Sequence, residues 1–225
     1  GRRDPGGRPV AVPSAGSPQR RAAAAAAAAM AAPEGKSGKT FVTQRAKVGY
    51  RDDPAKQHGT AYGSFLELRP YHDMGKLPPK PLRILQSLKR LETPDHAWNN
   101  APGMPVGSTN PTAGAVVLLN NLHLPINADV GEWLRSRLHA QGGFVAVPDA
   151  PMPDLLSTAT ALHALAALEA RLSGDETERC LDFVDSLWDA DGGFHGHWAD
   201  DFIDCEYTFY GLLALGHLSL LEQSM

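Results

Sequence analysis

The sequence predicts an all-helical protein assembled from at least three copies of one two-helix unit, and three observations predict it. An aromatic residue follows a turn three times: Asp95-His96-Ala97-Trp98, Gln141-Gly142-Gly143-Phe144 and Asp191-Gly192-Gly193-Phe194. A threonine stands fourteen positions after each aromatic, as Thr112, Thr158 and Thr208. Apolar residues then recur in register: Val116, Leu162 and Leu212, then Leu119, Leu165 and Leu215, then Leu122, Leu168 and Leu218. Steps of three and four are the period of one helix face.

Residues 1–36 are rich in Gly, Pro, Ser and Arg and carry eight consecutive alanines, Ala22 to Ala29. They cannot bury enough apolar surface to fold, and are expected to be disordered. Arg20 through Ala32 can be read as a secretory leader, but alanine makes a poor apolar stretch. We instead take Met30 as the true start and the protein as cytoplasmic. Residues 37–81 show no sustained helical period and close on Pro78-Pro79-Lys80-Pro81. They read as an irregular arm and a stiff proline linker.

Residues 82–225 hold the three hairpins. Their first helices carry Leu82, Leu85, Leu88 and Leu91; Val130, Trp133, Leu134 and Leu138; Leu181, Val184, Leu187 and Trp188. The last of these is expected to begin at Asp175, where Asp175 and Glu178 have capping-box spacing. Paired glycines before Phe144 and Phe194 allow positive φ, so Gly143 and Gly193 are expected to matter far more than Gly196. Their second helices carry small residues between the leucines, suiting close packing on several sides.

The formal charge of −4 is uneven, because residues 1–30 hold five arginines against Asp4. The remainder is acidic, which disfavours nucleic acid as a partner. Two cysteines, Cys180 and Cys205, are too few for a disulfide framework. No apolar run approaches the length that would cross a bilayer.

The Gly-Gly-Phe turn, the loop and the Asp-x-x-x-Thr opening of an Ala/Leu-rich helix resemble the prenyltransferase and squalene-oxidase repeat of terpenoid cyclases and protein prenyltransferase β subunits. Gln141 to Leu168 and Asp191 to Leu218 match it best, and the resemblance covers Leu82 to Leu221. It implies an α/α toroid whose inner helices, starting near Thr112, Thr158 and Thr208, line an apolar cavity. A full ring needs about twice the hairpins found. Either residues 37–80 supply degenerate helices, or the ring is partial, or the chain is a fragment. The resemblance implies a prenyltransferase- or terpene-cyclase-like protein acting on or binding an isoprenoid or long apolar ligand. The alternative it leaves is a non-catalytic module binding a protein partner or hydrophobic ligand. A second subunit or self-association would complete the ring.

Ser108, Asp154 and Asp204 stand four residues before the threonines, where helix N-caps belong. Asp204-Cys205-Glu206-Tyr207-Thr208 falls where class II cyclases carry their acid motif and prenyltransferases an Asp-x-Cys zinc pair. On the cyclase reading Asp204, Glu206 and Tyr207 are the catalytic group. Glu206 would be the proton donor, pointing into the apolar concave surface and kept protonated there. Asp154-Leu155-Leu156-Ser157-Thr158 lacks both later acids and is expected to be inert. On the zinc reading Glu206 replaces the thiolate and no histidine ligand follows, so a family-type zinc site is not supported and no cofactor is expected. His195, His197, Asp200 and Asp201 form the densest polar loop, where a divalent metal competes with plain solvation. Trp198, Phe209, Tyr210 and His163 are candidates for ligand contact, the aromatics as cavity walls. His163, among alanines, also reads as a hydrogen-bonded core histidine.

Overall fold

The computed structural model describes residues 59–76 and 81–222. The disorder expected of residues 1–36 lies outside the described residues, as do 37–58 and 77–80. Seven helices follow in order: α1 (Ala61–Asp73), α2 (Pro81–Leu91), α3 (Thr109–Asn121), α4 (Val130–Arg135), α5 (Leu155–Ala167), α6 (Gly174–Ser186) and α7 (Cys205–Glu222). Three short strands, β1 (Trp188–Asp189), β2 (Gly193–His195) and β3 (Ile203–Asp204), sit between α6 and α7. They pair antiparallel in that order.

Helices α1, α3, α5 and α7 form an inner row, each packed on the next, and α2, α4 and α6 lie outside it. Small residues make the row possible. Ala113, Ala115, Ala159, Ala161 and Ala164 are wholly buried between helices that approach closely. Outer helices bury one stripe only. In α6, Cys180, Leu181, Phe183 and Val184 face inward while Asp175, Glu178 and Asp182 face solvent.

The fourteen-residue spacing has a direct cause. The backbone N–H of Trp98 donates to Thr112 Oγ1 at 3.0 Å, and that of Phe144 to Thr158 Oγ1 at 2.9 Å. Thr158 and Thr208 in turn donate to the cap carbonyls of Asp154 and Asp204 at 2.7 and 2.6 Å. In the second copy one hydroxyl thus ties turn to helix start, deep in the core where an unpaired N–H would be costly. Trp98, Phe144 and Phe194 are buried above it.

Four expectations are corrected. Ala61–Asp73 is a helix, not an irregular arm. It hides from a search for leucine stripes because it buries Ala61, Ser64 and Leu68 and contains Pro70. It opens on Thr60, whose Oγ1 accepts from the Gly63 N–H at 2.9 Å. Its register repeats the pattern: Ser64 stands four after the cap, Leu68 four later, and Tyr50 fourteen before Ser64. Second, α6 is capped by Ser173 in a capping box with Glu176, two residues before the expected start. Serine supplies the hydroxyl that the box requires. Third, Leu82 is 70% exposed and Ile84 takes its place in the core. Trp188 has left its helix for β1.

Fourth, the positive φ belongs to the second turn position: His96 at 62°, Gly142 at 92° and Gly192 at 98°. Gly143 is also positive at 72°, whereas Gly193 lies outside that region. Gly143 is as confining as expected, a Cβ there entering the Phe183 ring, but Gly196 is tighter than Gly193, since a Cβ there would enter the Tyr207 ring. Gly142 has no room either, lying against the carbonyl of Arg179.

Candidate functional site

At the mouth of α7 the acids divide by task. Asp204 Oδ1 accepts from the Tyr207 N–H at 2.7 Å, so it caps the helix. Asp154 does the same for α5, accepting from Ser157 at 2.7 Å. Burial pushes the Asp154 carboxyl above its usual range, although the Ser157 bonds and nearby His197 pull it down. Ser108, the third such residue, caps without a side-chain bond.

Glu206 is exposed in the first turn of α7. The enclosed apolar setting expected of a proton donor does not surround it among the described residues. Tyr207 is half-buried with its ring over Gly196. Burial raises its phenol, and the charges of Asp200, Asp204, Asp154 and Glu206 add to that.

The polar loop of the third copy is occupied by its own architecture. His195 Nε2 meets Asp189 Oδ2 at 3.2 Å, and its Nδ1 faces the Phe202 carbonyl at 3.1 Å. Asp200 accepts from the Gly196 and Phe202 amides at 3.0 and 3.1 Å, bonds that hold its carboxyl below the usual range. His197 Nδ1 accepts from the Ala199 amide at 3.2 Å, and Asp201 points to solvent. Among the described residues no group of three or more His, Cys, Asp or Glu converges as a metal ion requires. Trp198 is on the outer side, its indole N–H donating to Ser186 Oγ at 2.9 Å and its ring edge-on to Phe183 at 5.3 Å. It is placed away from the inner row.

The inner row brings together a different set. The hydroxyls of Tyr62 on α1 and Tyr210 on α7 are hydrogen-bonded, so the row curls until its first and last helices meet. Burial, and then that bond, push the Tyr210 phenol far above its ordinary value. His163 Nδ1 on α5 is 2.9 Å from His217 Nε2 on α7. The Phe65 ring lies 6.3 Å from His163 and 6.2 Å from Tyr62. Phe209, 38% exposed, stands edge-on to Tyr210 at 5.2 Å. Thr160 Oγ1 donates to Asn110 Oδ1 at 2.9 Å, joining α5 to α3.

Of the sequence candidates, His163, Phe209 and Tyr210 thus meet on one side of the row, while Asp204, Glu206 and Tyr207 stand at its rim. Tyr62, Phe65 and His217 were missed. The first two belong to the helix that lacks a leucine stripe, and the Tyr50–Ser64 spacing was the signal available. Nothing in the repeat register marks His217, because His163 and His217 are five and nine residues past their threonines.

The family model of the prenyltransferase alpha-alpha toroid domain matches residues 112–224, starting at the first of the three threonines. The chain belongs to that family. Solved structures agree on the toroid fold. A variant of the type II terpene cyclase MstE from Scytonema, in complex with geranylgeranyl dihydroxybenzoate, has a TM-score of 0.51 at 14% identity, covering 74% of this chain and 55% of that one. Candida albicans protein geranylgeranyltransferase-I complexed with GGPP has a TM-score of 0.51 at 15% identity, covering 73% and 50%. The chain therefore spans about half the length of these two. No curated protein sequence matches the chain. Among the described residues no helix is long and apolar enough to cross a membrane.

Proposed function

We propose that this toroid domain binds an isoprenoid or another long apolar ligand on the inner side of its helix row. The observation that carries the reading is the meeting of Tyr62, Phe65, Phe209 and Tyr210 around His163 and His217. Aromatic faces offer a prenyl chain large contact area at small entropic cost. The hydroxyls and imidazoles offer its polar end directional partners. The prenyl ligands held by the two solved toroids support the same class.

Binding has more support than proton donation. An alkene is protonated only by a carboxylic acid kept dry and neutral. Glu206 is at the surface and Asp204 is engaged as a cap. The reading needs no cofactor. With it goes the proposal of a cytoplasmic protein that meets a second subunit or a second copy of itself.

The test is fluorescence titration of the full chain with a dansylated farnesyl diphosphate analogue, competed by farnesol. Phe65→Ala is expected to weaken binding about tenfold, the loss of one aromatic contact of roughly 1.4 kcal/mol. Glu206→Gln is expected to leave it unchanged. No saturable binding by the wild type sinks the reading. A large loss in Glu206→Gln at native stability returns the acid to the centre of the function.

A further inference from the structure

Ser64 on α1 is 0% exposed, yet among the described residues its hydroxyl makes no hydrogen bond. Thr112 and Thr158 hold the same register on α3 and α5. Each accepts the backbone N–H of the aromatic fourteen residues earlier, Trp98 and Phe144. A buried hydroxyl that meets nothing has lost its bonds to water without replacement, and folded chains rarely leave one so. The orphaned Ser64 Oγ is therefore an acceptor whose donor the repeat itself specifies: the amide of an aromatic turn fourteen residues upstream.

The sequence before α1 carries the parts of such a turn. Tyr50 stands fourteen residues before Ser64, and Gly49 precedes it as Gly143 precedes Phe144 and Gly193 precedes Phe194. Pro54 lies four past Tyr50, where Pro102 and Pro148 follow Trp98 and Phe144. Thr60 occupies the cap position of Ser108 and Asp154, and its Oγ1 accepts from the Gly63 N–H. Ser64 and Thr112 are 48 residues apart, between the 46 and 50 of the later intervals. We propose that Ser64 docks the Tyr50 turn of this same chain, accepting the Tyr50 backbone N–H on its Oγ. The Tyr50 ring then takes the place that Trp98 and Phe144 hold above their threonines. This adds a clasp to those of the first two copies. It fixes the start of α1, where Tyr62 meets Tyr210 and the inner row closes. The proposal is independent of the ligand reading.

Amide hydrogen exchange of the full chain tests it. Labelling with nitrogen-15 tyrosine gives five backbone signals, one for each tyrosine, and Tyr50→Phe identifies the one that belongs to Tyr50. That amide is expected to exchange at least about a hundredfold more slowly than in an unstructured peptide. Ser64→Ala is expected to speed it about tenfold, the worth of one hydrogen bond, while the Tyr210 amide within α7 keeps its rate. Ser64→Thr, which restores the residue of the other copies, is expected to keep the slow rate. A Tyr50 amide that exchanges at the peptide rate overturns the proposal, as does slow exchange that Ser64→Ala leaves untouched. So does a Ser64→Ala protein that melts above wild type, the result of deleting a hydroxyl with nothing to accept. Should Ser64→Ala not fold, Ser64→Cys, a weaker acceptor of similar size, takes its place in the same comparison.

Discussion

Asp154 shows how one side chain can help a helix and strain the protein at once. Its carboxylate caps α5, while burial holds its proton affinity above normal. A carboxyl raised in the folded state favours folding when protonated, below its ordinary pKa of about 4, and that contribution is lost as pH rises through the higher folded value. Asparagine caps as well as aspartate and carries no charge. Asp154→Asn is therefore expected to melt at the same temperature or higher at pH 7, the advantage fading towards pH 4. A clear loss at neutral pH would mean that the charge, not the cap, matters there. The glycines give a second case. Gly196→Val, forced into the Tyr207 ring, should cost about 3 kcal/mol, the upper range for overpacking, and lower the melting temperature by roughly 6–12 °C. Gly193→Ala, with nearest neighbours at 3.1 Å and beyond, should cost less than about 1 kcal/mol. Thermal melts reversing that order would overturn the corrected assignment. Cys180 completes the residue scale. Burial pushes its thiol to about 11, so a thiol reagent should titrate only Cys205 until the fold is opened by denaturant.

Single elements stand on their first turns. Ser173 and Glu176 close α6 reciprocally, and Glu176 also pairs with Arg135 at 3.1 Å, tying α6 to α4. Ser173→Ala is expected to cost about 1 kcal/mol and lower the melting temperature by roughly 2–4 °C. Thr158→Val removes the acceptor of the buried Phe144 N–H and should cost about 1–3 kcal/mol. Differential scanning calorimetry of both variants checks the ranking, and a Thr158→Val protein as stable as wild type would remove the reason given for the spacing. At this scale the sequence was legible wherever leucines repeat: α3, α5 and α7 follow from the threonines and the apolar positions after them. It was not legible in α1. That helix packs through Ala61 and Ser64 and keeps a proline, so its period is carried by small and polar residues. The loop of the third copy shows the limit of residue types in another way. His195 and Asp200 look like ligands in a list of residue types, but strands two residues long leave amides and carbonyls for them to satisfy.

Across the whole molecule, three polar pairs of the inner row join helices far apart in sequence: Tyr62 with Tyr210, His163 with His217, Asn110 with Thr160. No local pattern encodes such pairs, which arise only once the row has curled. This is why the sequence names His163 and Tyr210 but not the residues with which they pair. The charge balance of the fold also acts globally. Burial raises Asp95, but its bonds to Thr93, Trp133 and Gly107 outweigh that and hold it low; amide bonds do the same for Asp189 and Asp200. Groups lowered in the folded state stabilise it above their ordinary pKa, and that contribution is lost as pH falls through the folded value. Melting temperature should therefore fall between about pH 5 and pH 3, with Asp154 opposing the trend. A melting temperature rising over that window would contradict these assignments.

The tie between aromatic turn and threonine in the first two copies divides the chain into rigid and yielding stretches. The fourteen-residue span is closed by a buried hydroxyl at one end and a buried ring at the other. The return from an inner helix to the next outer one has no such clasp. Its two instances, 122–129 and 168–173, differ in length, while the fourteen-residue span does not. A foreign peptide spliced between Asn121 and Asp129, or a cut made there, would lengthen a connection that already varies in the native chain. The same insertion between Phe144 and Asp154 would pull a helix off its anchor. An engineer wishing to label, permute or split this protein would open it on the face where the inner helices end.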